Sequence, residues 1–181
     1  KSLGNGLSVP AVLAENSAWV VRYALGSVQY RSMLEWSDQT LTEAQSAYDR
    51  VSNFIERAGA AVGGQPPREE ITSISADDLP ADFVAALNDD INVSGASAAI
   101  FTAIRFGNTL LSKLADRVDS DVAKDEVRAV LVNVRAMLDT LGLDPLAEPW
   151  VSEGAAGGAA GAGADSAEHT ALDRLVSEQL E

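Results

Sequence analysis

The chain has no cysteine and a single histidine, His169. Disulfides and thiolate metal sites are excluded within these residues, and one imidazole cannot build a histidine metal cluster. Lysine is nearly absent as well: Lys1, Lys113 and Lys124 stand beside ten arginines. Acidic residues number 27 against 13 basic, a net charge of −14. That balance disfavours broad, nonspecific binding to nucleic acid, which needs clustered Lys and Arg, but it leaves room for a few placed arginines. No apolar run approaches the ~20 residues that cross a bilayer, so a membrane partner is not expected. No stretch alternates apolar and polar residues over a useful length, so no strand is expected. Lys1 instead of methionine opens the chain, and a helical pattern is still running at Glu181, so both ends read as cut. Missing cysteines and export signals fit a cytoplasmic location.

What remains is 181 residues, 46% of them hydrophobic, enough for one ordinary domain with a sizeable core. Residues 1–10 are turn-rich, with Gly4, Asn5 and Gly6, and read as a loop. A helix is predicted from near Asn16 or Ser17, with Val20, Val21, Ala24, Leu25 and Val28 around one face. Ser37 reads as the cap of a longer helix. Leu41, Ala44, Tyr48, Val51, Ile55 and Ala58 step by three and four residues along it, the stripe of a helix packed lengthwise on others. Gly63 to Pro67 stops that helix.

Arg68 to Asp78 lacks a period and reads as loop. Pro80 suits the first turn of a short helix with Phe83, Ala86 and Leu87. Asn88 to Asn92 interrupts it, and Ser94 is the predicted cap of a third long helix striped by Ala96, Ile100, Ala103, Gly107, Leu110 and Leu114. Small residues on that stripe let a neighbouring helix come close. A fourth helix follows Asp121, with Val127, Val130, Val134, Met137 and Leu141 inward and Gly142 at its left-handed end. Gly154 to Ala164 is almost only glycine and alanine and reads as a flexible linker, with a last helix from about Asp165. The expected fold class is all-α: an antiparallel helical bundle preceded by a loop and a short helix.

Little in the pattern points to chemistry by itself. Lys1 in a Gly/Asn loop can meet a phosphate as a point charge, or simply be a solvated terminal lysine. Arg31 beside Tyr30 can contact a phosphate and a stacked base, or bond last-turn carbonyls. Asn88-Asp89-Asp90 lacks the further ligands of a calcium loop and reads as a helix stop, so no metal ligand is assigned. Glu43, Asp49 and Glu56 read as a solvated face. No Ser-His-Asp, Cys-His or paired-carboxylate arrangement is evident.

Several separated segments nevertheless line up with one family. Lys1-Ser2-Leu3-Gly4-Asn5 resembles the second half of the K-M-S-K-S-L-G-N signature of class I aminoacyl-tRNA synthetases. Arg22 to Ser27, Tyr30 to Ser37, Ala86 to Val93 and Arg135 to Leu146 resemble the cysteinyl-tRNA synthetases, in family order. Gln29 stands where the family usually has histidine, and Ser94-Gly95 where Pro-Glu is common.

The resemblance implies an enzyme that activates cysteine with ATP and transfers it to tRNA-Cys. Lys1 would be the signature's second lysine, the catalytic residue at the ATP phosphates, and Ser2 its final serine in the same ATP-binding loop. Arg22 and Arg31 are the candidate tRNA-binding residues. Zinc would be held by Cys, His and Glu upstream of these residues, and the nucleotide-binding core is upstream too, so this piece alone is expected to be inactive. The implied organisation is 1–36 for the end of the catalytic domain with a stem-contact segment, 37–150 for the tRNA-positioning bundle, 151–164 for the linker, and 165–181 for the start of a C-terminal helix. DNA is not an expected partner. Two rivals stand beside this reading: the related cysteine ligase of mycothiol synthesis, which acts on an aminosugar-inositol, and a non-enzymatic helical interaction module.

Overall fold

Short polar side chains decide where the helices begin. In the computed structural model, residues 8–115 and 121–151 are described. Ser8, Ser17 and Ser37 each sit in extended backbone with the hydroxyl accepting from the amide three residues on, and so satisfy a first-turn N–H that has no partner within the helix. They open α1 (Val9–Glu15), α2 (Ala18–Gly26) and α3 (Asp38–Val62). Then come α4 (Arg68–Thr72), a single 3₁₀ turn at Ala76–Asp78, α5 (Ala81–Asn88), α6 (Val93–Ala115) and α7 (Asp121–Thr140). Among the described residues there is no strand, and no helix is long and apolar enough to cross a membrane. The structure is an all-α helical bundle.

Two glycines end helices where left-handed backbone is required. Gly63 closes α3 at φ 87°, and Gly142 follows α7 at φ 65°. A third acts through its size. A methyl group at Gly107 would lie 2.6 Å from Phe54 Cζ and 3.1 Å from Val130 Cγ1, so its absence is what lets α3, α6 and α7 meet. Those three long helices form the centre. Val51, Phe54 and Ala58 from α3 are buried with Ala96, Ile100 and Ile104 from α6 and with Val127, Leu131, Val134 and Met137 from α7. α2 packs on α3, α5 on α6, and α4 on α7.

Three expectations are corrected. Val9 and Pro10, read above as loop, open a helix that runs to Glu15: Ser8 caps it and Pro10 falls in the first turn, where its missing N–H costs nothing. The seven residues bury only Val12, too little to show a period. Arg68–Thr72 is likewise a helix, anchored by one buried residue, Ile71, against Val132 and Ala136. A five-residue helix with one apolar anchor has no stripe to read. Finally, Ser94 does not cap α6. Asn92 does, its Oδ1 accepting from the Gly95 amide at 2.9 Å, while Ser94 Oγ donates to Ser27 O at 2.9 Å and ties α6 to the end of α2.

The chain divides between Pro145 and Leu146 into two units. Of the second, residues 146–151 are described: a short turn whose Trp150 and Val151 amides both donate to Ala147 O. The Gly/Ala linker and the last predicted helix lie outside the described residues, as do Lys1, Ser2 and His169.

A charge pair lies within the first unit. Arg135 on α7 is 2% exposed and Asp144 is fully buried. Arg135 Nη2 donates to Asp144 Oδ2 at 3.0 Å, Nε donates to Oδ1 at 3.2 Å, and Nη1 donates to Pro66 O at 2.8 Å. Arg68 approaches the same carboxylate at 3.6 Å and pairs with Asp139 at 2.6 Å. Removing one partner strands a buried charge. Asp144→Ala should therefore cost about 3–5 kcal/mol in urea unfolding, and the double change Arg135→Met with Asp144→Leu distinctly less.

An aromatic cluster holds α2 to α3. Trp19 stacks on Tyr23 with ring centroids 5.3 Å apart, and meets Tyr48 edge-on at 4.9 Å. Its indole N–H donates to Leu143 O at 2.8 Å. Burial pushes the Tyr23 phenol above its ordinary value, partly offset by the charge of Arg50 and a hydrogen bond with Ser97. The folded chain thus holds this proton more tightly than the unfolded one. Its contribution to stability is complete below the ordinary tyrosine value of ~10 and declines as pH rises through the raised one. Urea midpoints should fall at alkaline pH above about 10, and Tyr23→Phe should flatten that fall.

Candidate functional site

Tyr30 and Arg31 follow α2, and the turn between α5 and α6 comes up beside them. Tyr30 donates its hydroxyl proton to Asp90 Oδ1 at 2.8 Å, and Arg31 Nε donates to the same Tyr30 oxygen at 2.8 Å. Arg31 Nη2 lies 3.5 Å from Asp90 Oδ1, and its guanidinium carbon sits 5.2 Å from the Tyr30 ring centre. The phenol therefore links carboxylate and guanidinium, and the ring is a platform under the cation. The assembly is open to solvent, with the Arg31 side chain 68% exposed.

The turn that supplies Asp90 is strained. Asp90 and Ile91 both adopt φ 54°, which costs a β-branched residue most. Backbone bonds clamp it: the Ile91 amide donates to Leu87 O at 3.2 Å, and the Asn92 amide to Ala86 O at 3.0 Å. The Asn92 cap and the Ser94–Ser27 bond fasten its far side. The sequence reading of Asn88–Asn92 as a helix stop describes this turn, but the positive φ at a non-glycine pair and the bond to Tyr30 carry no sequence signal. Among the described residues, no three His, Cys, Asp or Glu side chains gather as a metal site.

Arg22 faces another way. Its Nη2 donates to Leu141 O at 3.1 Å, and its guanidinium lies against Gly142, where a methyl group would come within 2.6 Å of Nη2. It thereby holds α2 to the end of α7. Arg22 and Arg31 are both exposed, and each is tied down by a different neighbour; no contact joins the two. An apolar cavity of about 590 Å³ opens beside Arg22, between α1, α2 and α6, with Val9, Leu13, Val21 and Val93 in its walls.

A further basic group escaped the sequence reading. Arg50 and Arg57 on α3 face Arg105 on α6 across a shallow groove. Arg50 Nε donates to Ser46 O at 3.0 Å and stacks 4.8 Å above the Phe101 ring; Arg57 donates to Asn108 Oδ1 at 3.2 Å; Arg105 donates to Thr102 Oγ1 at 2.8 Å. The seven-residue spacing of Arg50 and Arg57, two helical turns, is the signal that was available.

No protein-family model matches the chain. It is 78% identical over 180 residues to the cysteine–tRNA ligase of Bifidobacterium longum (strain NCC 2705), covering 99% of the chain and 32% of that protein. It is 46% identical over 157 residues to the cysteine–tRNA ligase of Beutenbergia cavernae, covering 86% of the chain and 31% of the relative. With the cysteine–tRNA ligase of Streptomyces griseus subsp. griseus the identity is 40% over 154 residues, 85% of the chain and 30% of the relative. By sequence, then, the chain belongs with the cysteine–tRNA ligases, and it accounts for about a third of the length of each of these three.

Proposed function

We propose that the chain is the part of a cysteine–tRNA ligase that carries the end of the ATP loop and the helical bundle that positions tRNA. The observation that carries this is 78% identity over nearly the whole chain. The whole protein would activate cysteine with ATP and pass it to tRNA-Cys in the cytoplasm. The same reading divides the chain after residues 36, 150 and 164.

In this reading Lys1 sets a positive charge where charge develops on the ATP phosphates as the cysteinyl adenylate forms, and Ser2 lies in the same loop. Arg31 offers its remaining N–H groups to the tRNA backbone from the Tyr30 platform, with Asp90 fixing its direction. Arg22 offers its exposed edge near the end of α7. Zinc, which the family reading implies for selecting the cysteine thiolate, does not fit here: these residues include no cysteine and one histidine. No step is derived through it.

The test uses the full-length protein with ATP and labelled cysteine, offered tRNA-Cys and glucosaminyl-inositol in parallel. Transfer to tRNA alone is expected. Transfer to the aminosugar alone would overturn the reading in favour of the mycothiol-type ligase, and transfer to neither in favour of a helical interaction module. Arg31→Ala should lower kcat/KM for tRNA roughly tenfold, the effect of one lost charge-assisted contact of about 1.4 kcal/mol.

A further inference from the structure

Half of the described arginines of this acidic chain are ion-paired. Of the eight described, Arg31, Arg68, Arg128 and Arg135 make ion pairs with carboxylates. Arg22 donates to the Leu141 carbonyl and lies outside the groove between α3 and α6. The other three, Arg50, Arg57 and Arg105, make no ion pair among the described residues, and all three line one groove of about 380 Å³ between α3 and α6. In a chain with 27 acidic and 13 basic residues, that grouping sets three guanidinium groups without an ion pair side by side.

The three are also held in place without being neutralised. A carbonyl and an aromatic face direct Arg50, an amide oxygen directs Arg57, and a hydroxyl directs Arg105. Each such contact uses part of the guanidinium, and the remaining N–H donors stay available in a fixed fork. A single carboxylate, Asp49, lines the groove, and its Oδ1 already accepts from Gln45 Nε2 at 2.8 Å. The groove therefore carries three guanidinium charges against one carboxylate. Arg50 and Arg57 lie about 10 Å apart along α3, which suits an extended anion with repeated charges better than one small ion.

We propose that this α3–α6 groove binds the phosphate backbone of an RNA, through Arg50, Arg57 and Arg105 acting together. The identity of that RNA as tRNA-Cys rests on the ligase reading; the anion chemistry does not. The guanidinium fork matches phosphate oxygens, and binding is sequence-independent because no base edge is read.

The test measures Kd of the full-length protein for tRNA-Cys across a salt series, for the wild type and for the combined Arg50→Gln, Arg57→Gln, Arg105→Gln change. Circular dichroism checks that helix content is retained. The combined variant should bind at least tenfold more weakly and lose about two to three from the slope of log K against log salt. Replacing the same residues by lysine should restore most of both, since a phosphate contact needs the charge and a packing role does not. An unchanged Kd and slope would overturn the groove, as would a lysine variant as weak as the glutamine one. Equal arginine-dependent binding of a DNA hairpin would overturn the assignment to RNA. Cysteine-dependent ATP–pyrophosphate exchange is measured on the wild type alone. A wild type without exchange, whose RNA affinity still depends on the three arginines, would keep the groove and sink the ligase reading.

Discussion

The first unit depends on one buried charge pair. Arg135 projects from the buried face of the amphipathic helix α7 into a site where water is excluded, and Asp144 returns to it from beyond the end of that helix. The guanidinium also takes the Pro66 carbonyl, between α3 and α4, and Arg68 at the start of α4 reaches the same carboxylate. Three pieces of chain are thereby set relative to α7. An apolar contact in the same space could be as stabilising, but it would tolerate sliding; the fork-shaped bond to a carboxylate and a carbonyl does not. With α7 fixed, the direction of the chain after Gly142 is fixed as well, and Leu143 O is left facing the Trp19 indole.

The outer contacts follow from that frame. Trp19 brings α2 against α3 through Tyr23 and Tyr48, and Arg22 adds a bond to the end of α7. Ser94 then donates to the Ser27 carbonyl, just past α2, and ties it to the start of α6. The strained Asp90–Ile91 turn is clamped by the bonds to Leu87 and Ala86 on one side and by the Asn92 cap and this Ser94 bond on the other. Its consequence is a carboxylate presented to Tyr30 and Arg31. A local conformational cost is thus sustained by local bonds and one tertiary contact, Ser94 to Ser27.

Charge is distributed with similar economy. The chain is strongly acidic, and the acidic residues Glu43, Asp49 and Glu56 lie on the exposed flank of α3. Arg68, Arg128 and Arg135 are paired with carboxylates, whereas the arginines in the α3–α6 groove are steered by neutral oxygens and an aromatic ring. Bulk charge therefore says little about where an anion would meet this protein. The local arrangement of a few guanidinium groups matters more than the net charge of −14.

The sequence by itself determined the helical class, the starts of α2 and α3, the glycine ends at Gly63 and Gly142, and the small residue at the crowded helix crossing. These are set by local rules: capping needs a side-chain oxygen, left-handed ends need glycine, and a stripe repeats every three to four residues. The family likeness was also legible, in short segments from Arg22 to Leu146. Tertiary structure alone decided the rest. α1 and α4 are too short to have a period and exist because Val12 and Ile71 find a core to enter. Arg135 and Asp144 read as ordinary polar residues until α7 turns them inward. Arg50, Arg57 and Arg105 lie on two helices 48 residues or more apart in the chain, and only the packing of α6 on α3 makes them neighbours. Long-range pairing has no local signature, because each partner's preferences are met equally well by water until the fold removes it.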